Sequence, residues 1–172
     1  MYQSQLFVME QFFVYIQLDD YLRDWFVNEQ GGELPVNLAR NTNERRILEL
    51  FLIKQPANAA PVLPAENAIP IVIPSFKFKP PEYYNYLPHK ATSALISCIR
   101  NRFDCQMFED LHAFKYIGKK QEDIIYAWME NHNIELSEKN WNAIAKRYQR
   151  LRNIYLTNER QKKMTKSTKK CV

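Results

Sequence analysis

Apolar residues alternate with polar ones at strand spacing in three short stretches of the N-terminal half. Over residues 11–18 both alternating sets are largely β-branched or aromatic, which predicts a well-buried strand. Residues 34–39 predict a second, short strand, and residues 68–79 a third. Pro70 and Pro74 lack the N–H that a ladder requires, so the third strand is expected at a sheet edge or with a bulge.

A helical period of apolar residues occupies most of the remaining chain. It predicts one helix over residues 19–28 and a second that Asn41 or Thr42 caps and that ends before Pro56. After Pro88 the pattern is helical to the end.

In this second half Asp104 is expected to end one helix and cap the next, in which Phe114 points inward. Gly118 is expected to separate these helices from a final pair, and Ser137 is a suitable cap for the long last helix. The predicted class is therefore α+β. It combines a small three-stranded sheet and two helices in the N-terminal half with a helical C-terminal half that ends in a helix-turn-helix-like pair.

The distribution of prolines predicts the domain boundaries. Eight of the nine prolines lie between residues 56 and 88, and the boundary is placed at Pro80–Pro81. The predicted domains are an α+β unit over 1–80, for oligomerisation or partner contact, a helical bundle over 81–160, and a flexible basic tail over 161–172.

The net charge of +5 conceals an asymmetry. From Ser137 to the end there are 11 Lys and Arg against Glu138 and Glu159, so this end carries +9 and the preceding residues carry −4. A basic end on a mildly acidic body indicates an acidic partner, either nucleic acid or an anionic surface.

The long last helix concentrates that charge on one side. Placed at 100° per residue, Trp141, Ile144, Tyr148, Leu151 and Tyr155 form an apolar arc. The opposite side carries cations for phosphates and amides for base edges, which are candidates for a nucleic-acid interface. The candidates on this side are Lys139, Lys146, Arg147, Gln149, Arg150 and Asn153, and Arg152 is a further candidate for a phosphate contact.

Three interpretations of this surface remain open. The first is a DNA-binding accessory or regulatory protein, most directly one for duplex DNA. The second is a protein-interaction or scaffold protein whose basic end meets an acidic protein surface. The third is an ordinary solvated helix face with no ligand.

Sequence signals for catalysis or a bound cofactor are weak. Adjacent carboxylates such as Glu122 and Asp123 do not face one site on a helix, and three glycines leave no room for a phosphate-binding loop. Cys98, Cys105 and His112 recur every seven residues but would lie about 10 Å apart along a helix, too far to share an ion. We therefore expect no enzyme, no cofactor and no metal site.

The segment from Gln121 to Tyr148 resembles the first two helices of a Myb or SANT module. The residues that carry the resemblance are Glu122, Asp123, Trp128, Asn140, Trp141, Ile144 and Ala145. The third, groove-reading helix of that family has no counterpart, because the second helix is expected to continue through Tyr155. The chain also resembles, more loosely, small uncharacterised proteins of Bacteroides-type mobile elements and prophages, a context in which DNA-binding accessory proteins are frequent.

Cysteine usage and hydropathy bear on the compartment and on partners. Three cysteines without a framework spacing favour a reducing compartment, and no run approaches the length of a membrane span. We expect a cytoplasmic protein without a membrane partner. Since a small three-stranded sheet has difficulty covering both its faces, a homodimer is also expected.

Overall fold

The structure, a computed structural model, describes residues 11–59, 64–113 and 120–168. Within these ranges it contains five helices and one two-stranded antiparallel sheet, and the C-terminal half is helical. The elements are β1 (Phe13–Ile16), α1 (Asp20–Glu29), α2 (Asn43–Phe51), β2 (Ile69–Val72), α3 (His89–Ala113), α4 (Gln121–Asn131) and α5 (Glu138–Thr168). The predicted three-stranded sheet is wrong.

The strand predicted over residues 34–39 is reduced to one bridge because prolines interrupt its partner strand. Val36 donates to the Pro70 carbonyl at 2.8 Å and accepts from the Val72 amide at 2.9 Å. The next rungs of this parallel pairing would need N–H groups on Pro70 and Pro74, and neither proline has one. Residues 34–39 therefore pair with β2 only through Val36.

The register of β1 against β2 is antiparallel and opposes Val14 to Ile71 and Tyr15 to Pro70. The Ile73 amide donates to the Phe12 carbonyl at 2.8 Å, so hydrogen-bonded pairs fall on every second residue from Phe12. Tyr15 and Pro70 consequently form a non-hydrogen-bonded pair, which a proline tolerates.

The described residues divide into two compact units. The sheet unit runs to Leu18 and over Gln30–Ile99, and the helical unit takes Asp19–Glu29 and the chain from Arg100 onward. In contrast to the boundary expected at residue 80, α1 groups with the C-terminal helices.

Asp104 does not end a helix, because α3 is continuous from His89 to Ala113. The predicted break is therefore wrong. Buried apolar residues keep a helical spacing through it, namely Leu95, Ile99, Phe103, Met107 and Leu111. Phe114 and Gly118 lie outside the described residues.

The core of the sheet unit is aliphatic. Ile69 and Ile71 of β2 are fully buried. Leu48 of α2 and Val36, which precedes that helix, are also fully buried. Burying an aliphatic side chain of this size contributes about 1.5–3 kcal/mol.

The core of the helical unit is aromatic and is built around Phe103. Its ring centroid lies 5.3 Å from those of Tyr21 and Trp25 on α1 and 5.6 Å from that of Trp128 on α4. The Trp25 and Trp128 contacts are edge-to-face, the favoured geometry for aromatic quadrupoles. This arrangement packs α1, α3 and α4 together.

The turn between α4 and α5 is locally specified. Asn133 adopts a left-handed φ of 52°, and the Ile134 amide returns to the Met129 carbonyl at 2.9 Å, which is a Schellman ending. Ser137 then caps α5, because its hydroxyl accepts from the Asn140 amide at 3.3 Å, as the sequence predicts.

None of the helices within the described ranges has the length and apolar character needed to cross a membrane.

Candidate nucleic-acid interface

The inward side of α5 packs in the helical unit. Ile144 and Tyr148 are buried, Trp141 and Leu151 are half-buried, and Tyr155 is 41% exposed. The predicted apolar arc is therefore covered at its centre and open toward its C-terminal end.

Four predicted site residues share the outer side of α5. Lys146, Gln149, Arg150 and Asn153 are all exposed and recur at intervals of three or four residues, which places them in one row along the helix. Below, this row is called the exposed stripe. Among the described residues no carboxylate lies within 4.0 Å of the Lys146 or Arg150 charged groups, while Gln149 Nε2 donates to Asn153 Oδ1 at 3.2 Å.

Arg147, also a predicted site residue, faces inward. Its guanidinium makes a two-point contact with Asp104 on α3, in which Nη2 lies 2.6 Å from Oδ2 and Nε also donates to Oδ1. The Arg147 side chain is 21% exposed and that of Asp104 is 18% exposed. Hydrogen bonding to Asp104 raises the pKa of Arg147 above its ordinary value, so the cation is committed to this pair.

Lys139 lies at the start of α5 and is 79% exposed, but it is not isolated. Its Nζ lies 2.5 Å from Asp20 Oδ2 at the start of α1. This hydrogen bond raises the pKa of Lys139 and lowers the pKa of Asp20. A phosphate could reach Lys139 only in competition with Asp20.

Arg152 is half-buried, and its Nε is buried without a hydrogen-bond partner among the described residues. It lies close to Tyr148, where burial raises the pKa of the phenol and the Arg152 charge offsets part of that rise. Arg152 therefore borders the packed side of α5 and is separate from the exposed stripe.

A second cationic surface lies in the sheet unit and was not among the predicted sites. Arg40, Arg45 and Arg46 line a cavity of about 480 Å³ at the start of α2, together with Glu49. Arg45 is partly engaged, since its Nη1 donates to the Leu38 carbonyl and its guanidinium lies over the Phe76 ring. The three arginines flanking the capping residue Thr42 are the sequence signal for this cluster.

The two described cysteines lie on α3. Cys98 and Cys105 are seven residues apart on this one helix, because the break predicted between them at Asp104 does not occur. No group of three or more His, Cys, Asp or Glu in the part of the chain that the structure describes could hold a metal ion.

Comparison with known proteins gave no match: no protein-family model fits the chain, and no curated protein or solved structure is detectably similar to it. The resemblances to Myb modules and to mobile-element proteins therefore stay predictions.

Proposed function

We propose that the chain binds nucleic acid, most directly duplex DNA, through the exposed stripe of α5. The observation that carries this proposal is that two exposed amides, Gln149 and Asn153, lie beside two cations, Lys146 and Arg150, that no carboxylate of the described residues pairs with. Cations of this kind neutralise phosphates, and Asn and Gln can form paired hydrogen bonds with adenine.

The stripe lies along a single helix, which is an element that a major groove admits. Lys146 and Asn153 are seven residues apart, so the stripe is about 10 Å long at the rise of an α-helix. A B-DNA major groove is about 12 Å wide and admits one α-helix. The mutual hydrogen bond of Gln149 and Asn153 holds both amides in place, and it would have to open for either amide to form its paired contact with a base.

The first prediction concerns the dependence of binding on salt. With one phosphate contacted by each of Lys146 and Arg150, the stripe contributes about −2 to the slope of the logarithm of the binding constant against that of salt concentration. Lys146→Ala with Arg150→Ala removes two contacts, so the slope should become shallower by about two units. Mobility shifts of a duplex at several salt concentrations measure both values.

The matched control is Lys90→Ala with Lys120→Ala, which removes the same charge from exposed positions outside α5. This variant should retain the wild-type slope. Equal losses in the two variants would mean that net charge alone attracts the polyanion. No shift by wild-type protein at low micromolar concentration would refute the proposal.

The alternative function is a scaffold that contacts an acidic protein. It is favoured by two apolar residues of α5 that lie beside the basic residues. Ile154 is 52% exposed and Tyr155 is 41% exposed. Apolar side chains next to cations are more typical of a protein contact than of a DNA backbone contact. A salt slope near zero would favour this alternative.

A further inference from the structure

Two segments of the sheet unit, residues 50–54 and 76–86, are tied together and carry an unusual concentration of exposed apolar side chains. Lys79 Nζ donates to the Leu50 carbonyl at 2.8 Å and to the Leu52 carbonyl at 2.9 Å, at the C-terminal end of α2. Ile53 and Tyr86 also exchange backbone hydrogen bonds of 3.0 and 3.2 Å. The two segments therefore lie side by side.

Phe78 projects from the second segment on an anchored turn. The Lys79 amide closes the turn on the Phe76 carbonyl at 3.2 Å. One end is held by the buried Phe76 ring and the other by the carbonyl contacts of Lys79. At the tip, Phe78 is 80% exposed, and the Lys77 ammonium lies 5.2 Å from the centroid of its ring.

The other large apolar side chains nearby are also exposed, and together they form what we call the Phe78 patch. Its members are Phe78 (80% exposed), Tyr83 (65%), Leu50 (60%), Phe51 (47%) and Ile53 (40%). With aromatic side chains of about 150–250 Å² each, the patch offers roughly 500 Å² of apolar surface. That lies in the upper range of the largest patches on monomeric proteins, which are often functional.

We propose that the Phe78 patch is the contact surface for a second copy of this chain. Two such patches cover roughly 1,000 Å², which reaches the lower bound for a specific protein interface. An exposed aromatic side chain on an anchored turn can bury a large apolar area on association at little cost in ordering.

The charges around the patch favour its own copy over a strongly charged partner. Lys54 and Lys77 lie over aromatic rings of the surface, while Glu49 and Glu82 adjoin Leu50 and Tyr83 in the chain. In a two-fold interface the same surface meets itself, so a rim of one sign would repel its copy. With Lys79 there are three ammonium groups and two carboxylates, so the rim is of mixed sign and offers its copy unlike charges as well as like ones.

Dimerisation through the Phe78 patch does not require nucleic-acid binding. The contact surface also differs from the one expected from the sequence, because it is the Phe78 patch and not a face of a three-stranded sheet.

The test is the molar mass of the full chain by light scattering and sedimentation equilibrium over a dilution series. We expect wild-type protein to reach twice the 20.6 kDa chain mass at high concentration and to dissociate on dilution. Phe78→Glu places two like charges in the contact and should raise the dimer dissociation constant about 30-fold or more. Because Phe78 is exposed, the circular dichroism spectrum of the variant should match wild type.

The matched control is Leu136→Glu, which changes an apolar residue of 56% exposure in the helical unit. It should dimerise like wild type. The proposal is overturned by wild-type protein that stays monomeric near 100 µM, a concentration at which dimers of about micromolar dissociation constant form. It is equally overturned if the Phe78 variant dimerises like wild type, or if both variants weaken the dimer alike.

Discussion

Two ion pairs join α5 to an aspartate on another helix, and their surroundings give them different energetic weights. The Arg147–Asp104 pair is forked and largely covered by protein, so losing one partner strands a charge in a poorly solvated place. The Lys139–Asp20 pair is a single contact in water, where side-chain entropy and screening cancel most of the Coulomb attraction.

These surroundings predict unequal losses of stability. Arg147→Ala should lower the free energy of unfolding by about 1.5–3 kcal/mol, the range for hydrogen bonds to charged groups. Lys139→Ala should lower it by much less, because water and salt screen this exposed pair. Urea denaturation of the two variants measures both, and equal losses would contradict the distinction.

The sequence predicts which residues lie on α5 but not which of its cations are available to a ligand. At 100° per residue Arg147 lies about 40° from Leu151 and about 60° from Arg150, so a helical wheel puts it at the border of the two sides, and the neighbouring helix decides between them. Asp104 lies 43 positions earlier in the chain, and only the packing of α3 against α5 brings the two together. Lys146, Gln149, Arg150 and Asn153 remain exposed, as the pattern predicts.

At the level of elements, local patterns locate the strands well and their pairing poorly. β1 and β2 lie inside the predicted stretches, and the effect of prolines on hydrogen bonding was anticipated. The sequence does not show that Pro70 and Pro74 would lie on the side of β2 that faces Val36. That orientation is set by the register with β1, a tertiary property.

The same register predicts alternating amide protection along β1. The Val14 and Ile16 amides face β2 and should exchange slowly with solvent deuterium. Phe13 and Tyr15 direct their backbone groups to the other edge, where no described residue bonds to them, and should exchange faster.

Amide exchange followed by NMR distinguishes these positions. The Val72 amide, which donates to Val36, serves as a protected reference. Slow exchange at both Phe13 and Tyr15 would mean that a further strand pairs with β1.

At the scale of the whole molecule, the helical unit is discontinuous in sequence. α1 supplies Tyr21, Leu22, Trp25 and Phe26 to its core, although it lies between two parts of the sheet unit. No local pattern reveals such an assignment, since the apolar face of α1 would suit either core equally well. A boundary drawn at the proline-rich stretch separates α1 from the helices that it packs against.

We therefore expect the fragment 81–172 not to fold cooperatively. Without α1, the Phe103 ring loses its contacts with Tyr21 and Trp25, and removing aromatic core residues singly already costs about 3–5 kcal/mol each. Thermal unfolding followed by circular dichroism should show a broad transition.

A variant that links residues 19–29 to 100–172 through a flexible linker is the control, and it should regain a sharp transition. A sharp transition for the fragment 81–172 alone would show that α1 is dispensable for this core.

Because the helical unit is discontinuous in sequence, α1 is synthesised on the ribosome well before the helices that it packs against. α1 leaves the ribosome early, yet Phe103 follows Glu29 by 74 positions, and Trp128 comes later still. At about 5–20 residues per second, Trp25 and Phe26 wait roughly 4–15 s before their partners have been made. During that interval the aromatic side chains of this segment stay uncovered, and exposed apolar segments of this kind are the ones that aggregate or that chaperones bind.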